Sequence, residues 1–96
     1  MAKERFASVW DALADTPKEA ANLRLRSKLM MELADLVSSW NLSQEQAAAR
    51  LGINQPRVNY LLTGKIDKFS IDTLVNLLDA ANAKINVTIT HPKKTA

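Results

Sequence analysis

Two helix-start signals and one helix-stop signal fall within residues 43–62, SQEQAAARLGINQPRVNYLL, and together they admit few folds. Ser43 stands three residues before Gln46, the spacing at which a hydroxyl caps a backbone N–H while the glutamine reaches back to the cap. A helix is therefore expected to start at Gln44. Ala47, Ala48 and Leu51 then share one apolar stripe, and Gly52 follows where the chain needs a left-handed residue to leave the helix sharply. Asn54 is placed to cap a second helix. Pro56 sits in its first turn, where a missing N–H costs nothing, and Val58, Leu61 and Leu62 are its expected inward face. Gln55, Arg57 and Asn59 are left pointing outward. Each feature alone occurs in any helical hairpin. The combination of a small residue at Ala48, glycine four later, Val58 six beyond that, and two caps in register predicts a helix-turn-helix.

The flanking chain supplies a scaffold. Phe6, Val9, Trp10 and Leu13 recur at helical spacing, so residues 1–16 are expected to form an amphipathic arm. Thr16, Pro17 and Glu19 form another capping box with proline at the first helical position. The helix they start runs without a breaker to Trp40, with Leu29, Leu33, Leu36, Val37 and Trp40 as its stripe and Asn41 in the left-handed position at its end. Residues 64–69 are expected to be a loop. Ser70 caps a further helix with a core face of Ile71, Leu74, Leu77, Leu78 and Ala81, closed by Asn82. Residues 17–83 thus make one helix-turn-helix domain.

The pattern then changes. Residues 84–90, KINVTIT, alternate polar and apolar and are largely β-branched, which predicts a strand. A lone strand leaves its ladder unpaired. Its simplest partner is the same strand of a second copy, antiparallel across a two-fold axis, with Ile85, Val87 and Ile89 turned onto the helices. Pairing with the N-terminal residues, or with a foreign strand, are the alternatives. Residues 91–96 show no periodicity and are expected to be a disordered tail. The expected fold class is mainly α, with five helices and one C-terminal strand.

Composition excludes several functions. The chain has 96 residues, of which 47% are hydrophobic, enough for a single modest core. With no cysteine, neither a disulfide framework nor a thiolate metal site is possible. The sole histidine, His91, lies in the tail, and no paired carboxylates mark a catalytic pocket, so no enzyme, metal or cofactor is expected. No apolar run follows the basic residues near the start, and none is long enough to span a bilayer, so a soluble, unprocessed, cytoplasmic chain with no membrane partner is expected. The net charge of +3 is mild, but its distribution is informative: Arg50, Arg57, Lys65 and Lys68 face only Asp67 on and just beyond the second motif helix. Attraction for phosphate is focused there.

Residues 42–78 carry Leu-Ser-Gln, Ala-Ala-Ala-Arg-Leu-Gly-Ile, Asn-Gln-Pro-Arg-Val, Leu-Leu-Thr-Gly-Lys and Phe-Ser, and this segment resembles the Xre (Cro/cI-type) helix-turn-helix family. More narrowly, with Phe-Ala-Ser-Val-Trp-Asp-Ala-Leu at residues 6–13 and Leu-Arg-Ser-Lys-Leu in the long helix, the chain is similar to HigA-like antitoxins of type II toxin–antitoxin systems. The resemblance implies a repressor of its own operon that neutralises a RelE/HigB-like, mRNA-cleaving toxin. Two departures stand out: Trp40-Asn41 replaces the family's usual charged residue and glycine, and Tyr60 fills a position that is often small.

Docked in the usual manner, residues 55–62 enter the major groove with their N-terminal side chains nearest the bases. Gln55, Arg57 and Asn59 are then the base-reading candidates, since Gln pairs with adenine and Arg with guanine. Gln44, Asn54, Pro56, Tyr60, Lys65 and Lys68 are the phosphate-contacting or positioning candidates. A two-fold dimer implies double-stranded DNA bearing an inverted repeat. The expected toxin surface comprises Phe6, Val9, Trp10 and Leu13, with Arg24, Arg26 and Lys28 on the long helix. The competing readings are a phage-type repressor without a protein partner and a protein-binding module that has lost DNA.

Overall fold

The computed structural model describes residues 17–93, which form four α-helices and one 3₁₀ turn. Helix α1 spans Pro17–Ser39, α2 Gln44–Leu51, α3 Gln55–Leu62 and α4 Ile71–Ala80; the 3₁₀ turn is Ile66–Lys68. At 1.5 Å per residue, the 23 residues of α1 reach about 34 Å and serve as the spine of the domain. Helix α4 packs along α1, α2 packs on α3, and α3 leans on α1.

The core takes one stripe from each element. Met30, Leu33 and Val37 come from α1, Ala47, Ala48 and Leu51 from α2, and Val58 and Leu61 from α3. Ile66 and Phe69 join them, together with Leu74, Leu77, Leu78 and Ala81 from α4 and its end. The two small residues of α2 bring that helix close against its neighbours, while Trp40, Leu29, Leu36 and Ile53 are half-buried around the edge.

The ends of the helices follow side-chain chemistry. Ser43 Oγ accepts from the Gln46 N–H at 3.1 Å and Gln46 Oε1 accepts from the Ser43 N–H at 3.1 Å, completing the capping box. Gly52 holds φ at +74°, and a Cβ there would meet nothing within 4 Å, so glycine is required by the backbone angle and not by space. Asn41 and Asn82 close α1 and α4 at φ values of 54° and 63°, the left-handed geometry that asparagine tolerates. Ser70 Oγ accepts from the Thr73 N–H at 3.1 Å and starts α4 as expected.

The structure corrects several expectations. Helix α1 ends at Ser39, with Trp40 already in the turn. Its buried stripe runs through Met30 in place of Leu29, which is only half-buried. Leu62 is 38% exposed: in a two-turn helix Val58 and Leu61 already fill the inward face, and Leu62 lies about 100° round from Leu61. Residues 64–69 are not a plain loop, because the 3₁₀ turn drives Ile66 and Phe69, three apart, into the core.

The largest difference concerns residues 84–90. No strand forms among the described residues, and the expectation that Ile85, Val87 and Ile89 turn onto the helices fails, with Val87 77% and Ile89 74% exposed. A strand is stabilised by its ladder, and no other described segment of this single chain offers an unpaired backbone edge to answer it. Of the five expected helices, the one assigned to Phe6, Val9, Trp10 and Leu13 lies outside the described residues, as does Thr16.

Candidate nucleic-acid interface

The turn between α2 and α3 is a three-residue corner, Gly52-Ile53-Asn54. The N–H groups of Gly52 and Ile53 both bond the Ala48 carbonyl, the latter at 3.0 Å, which ends α2 without a loose residue. Asn54 Oδ1 then accepts from the Arg57 N–H at 2.9 Å and sets the first turn of α3. With both helix ends satisfied locally and Val58 fully buried, the orientation of α3 is determined by packing. Of its outward side chains, Gln55 and Asn59 stay exposed and only Arg57 leans back on the core.

Gln55, Pro56, Asn59 and Tyr60 are exposed around α3, and Arg57 is half-buried. The Arg57 guanidinium carbon lies 5.0 Å from the centroid of the Phe69 ring, within cation–π range. Lys68 brings its ammonium 5.6 Å from the Tyr60 ring centroid, so the large side chain at residue 60 is paired with a cation beside α3. Lys65 is exposed, and its backbone N–H bonds the Tyr60 carbonyl at 2.9 Å. Across the corner, Gln44 is half-buried in the first turn of α2, where backbone N–H groups lack intrahelical acceptors. The structure thus gathers Gln55, Arg57, Asn59, Asn54, Pro56, Tyr60, Lys65 and Lys68 on and around one short helix.

Two arginines stand apart from their expected places. Arg50 does not join this face; its guanidinium stacks 3.9 Å from the Trp40 ring centroid, linking the end of α2 to the end of α1. The cationic surplus at α3 therefore consists of Arg57, Lys65 and Lys68. Arg26, grouped by sequence with Arg24 and Lys28 on the outer side of the long helix, turns instead toward the 3₁₀ turn. Its Nη1 donates to the Ile66 carbonyl at 3.5 Å, and its Nε and Nη2 donate to Asn22 Oδ1 at 3.1 and 2.7 Å. It borders the same groove, about 770 Å³, as Arg57, Lys68, Phe69 and the first turn of α4. Lys28 pairs with Glu32 at 3.3 Å on the exposed side of α1. Phe69 and Arg26 are the residues that sequence reasoning missed at this site. The three-residue spacing of Ile66 and Phe69 was the available signal for the first.

A second groove, about 600 Å³, runs between α1 and the C-terminal segment and is lined by Leu25, Leu29, Leu36, Ile85 and Val87 among others. Phe6, Val9, Trp10 and Leu13, the other apolar group of interest, lie outside the described residues. No helix among the described residues is long and apolar enough to cross a membrane.

A short capped helix presented at a glycine corner, with polar and cationic side chains outward, defines a DNA-binding domain of the helix-turn-helix class. Comparison with known families agrees: residues 12–90 match the family described as a helix-turn-helix domain, and the chain belongs to that family. No curated protein matches it.

Proposed function

We propose that this protein is a sequence-specific repressor that binds an inverted-repeat operator as a homodimer and acts as the antitoxin of a RelE/HigB-like toxin, regulating its own operon. The observation that carries the DNA half is α3 itself. Its register is set by Asn54 and Val58, which leaves Gln55 and Asn59 exposed, with Arg57 held beside them, to meet base edges. Gln44, Asn54, Pro56, Tyr60, Lys65 and Lys68 hold the backbone around them. The reading excludes catalysis: the protein works by occupancy, in the cytoplasm beside the DNA it controls.

The homodimer is supported by residues 84–90, whose alternating apolar side chains Ile85, Val87 and Ile89 are left exposed in the single chain. A strand pair across a two-fold axis satisfies both ladders and sets the two α3 helices about one helical turn of DNA, roughly 34 Å, or a multiple of it apart. The antitoxin half is supported by the resemblance to HigA-like chains and by the aromatic-rich segment holding Phe6, Val9, Trp10 and Leu13, a composition suited to anchoring a partner.

Selection of bound duplexes from a randomised library tests the first half. An enriched inverted repeat is expected, whereas enrichment of one isolated half-site overturns the dimer and no enrichment overturns DNA reading. Co-expression with the product of the adjoining reading frame tests the second half. Capture of a small basic protein that is lost on deleting residues 1–14, with DNA binding retained, is the expected result. DNA binding with no capture returns the phage-type repressor.

A further inference from the structure

Among Gln55, Arg57 and Asn59, only Arg57 is withdrawn from full exposure. It is held at both ends. Its backbone N–H is bound to Asn54 Oδ1 at 2.9 Å, and its guanidinium carbon lies 5.0 Å from the Phe69 ring centroid. Phe69 is 2% exposed and wedged in the core between the 3₁₀ turn and α4, so its ring is a fixed plate that cannot follow a moving arginine. The groove it borders carries both signs of charge, Arg26 and Lys68 beside Asp67 and Asp72, yet no carboxylate is paired with Arg57 among the described residues. The ring face is what holds it. A guanidinium held over an aromatic face is attracted through the ring and not through its N–H groups, so those donors stay available for hydrogen bonding.

We infer that Phe69 is a positioning residue for base discrimination: its ring holds the Arg57 guanidinium ordered, with its N–H fork free, before α3 meets a duplex. The inference rests on the DNA-reading proposal and deepens it. An unrestrained arginine would lose its rotamer freedom on binding any base. One already ordered loses less, and only at the base pair whose acceptors match its fork, so the gain is confined to that position.

The test is selection from a randomised duplex library with the wild type, Phe69→Leu, Arg57→Ala and the double variant. Phe69→Leu is expected to cut base preference about two- to fivefold at the one position that Arg57→Ala erases. It should leave the other positions unchanged and have no further effect there once Arg57 is gone. A uniform loss at every position, or the same loss with and without Arg57, overturns the inference and reduces Phe69 to a core plug. Phe69→Tyr, which keeps the ring face, is expected to retain the preference, and its loss would overturn the inference. Should Phe69→Leu not fold, the side-chain proton resonances of Arg57 in the free wild type decide. They are expected upfield, shifted by the Phe69 ring current; unshifted resonances overturn the inference. Failure of the wild type to enrich any motif would instead bring down DNA reading itself.

Discussion

Ser27 faces the core from α1, is 2% exposed, and its Oγ finds no hydrogen-bond partner among the described residues. Replacing it by alanine should stabilise the protein, and the magnitude can be built from three parts. A buried hydroxyl without a partner costs about 1–3 kcal/mol by protein mutational data. Alanine gains roughly 0.5 kcal/mol over serine in a helix interior. The gap left by one oxygen atom is smaller than a water and forfeits some dispersion contact with its lining, about 0.5 kcal/mol. The balance is a gain of about 1–3 kcal/mol, which for a domain of this size raises the melting temperature by roughly 4–24 °C. Thermal melts followed by far-ultraviolet circular dichroism, at one fixed protein concentration so that self-association does not enter, read the shift directly. Urea unfolding should show a higher midpoint with an unchanged slope. A melting temperature that stays level or falls would refute the reasoning, because it would mean the hydroxyl is bonded in solution. A change in slope would place the effect on the unfolded chain.

Lys65→Ala should weaken binding to operator and random duplex alike and reduce the slope of log affinity against log salt by about one, whereas Arg57→Ala should cost about 1–3 kcal/mol at a single base pair. Titrations at several salt concentrations separate the two, and equal losses on both duplexes for both variants would defeat the assignment. Gly52→Ala introduces a Cβ that meets nothing yet forces a left-handed alanine at φ +74°, so a loss of about 1 kcal/mol in urea unfolding is expected. Val87→Glu, at a side chain 77% exposed, should leave the monomer's far-ultraviolet spectrum intact while abolishing the dimer in sedimentation equilibrium; a dimer that survives removes residues 84–90 from the interface.

What could be seen in advance depended on how local the cause was. Ser43, Gly52, Asn54, Ser70, Asn41 and Asn82 act on backbone within a few residues of themselves, and each does in the structure what its chemistry predicts. The stripe of α1 was harder to phase, since Leu25, Leu29, Met30, Leu33, Leu36 and Val37 offer apolar residues on more than one side. Packing against α4 and the 3₁₀ turn chose the face that includes Met30 and Ser27, and left Leu25 49% exposed. Neither the partner of Arg50 nor that of Arg57 was legible. Trp40 and Phe69 are brought to them by tertiary packing, and no periodicity encodes a contact between the ends of different helices.

Helix α3 and residues 84–90 each carry a strong local pattern, yet the two patterns are answered differently. In α3 the cap, the proline and the buried Val58 and Leu61 account for its shape, so Gln55 and Asn59, which contribute nothing to that shape, are available for work outside the molecule. In residues 84–90 the alternation itself goes unanswered, for Val87 and Ile89 remain in solvent and the backbone makes no ladder. A β-branched, apolar segment without a ladder is the kind of edge that associates with another chain unless something blocks it. Lys84, Asn86 and the threonines at 88 and 90 are the polar residues of this segment, and only one of the four carries charge. The unmet demands of the single chain thus fall at two places, a polar helix suited to a duplex and an apolar segment suited to a strand, and the proposed two-fold dimer on DNA would meet both at once.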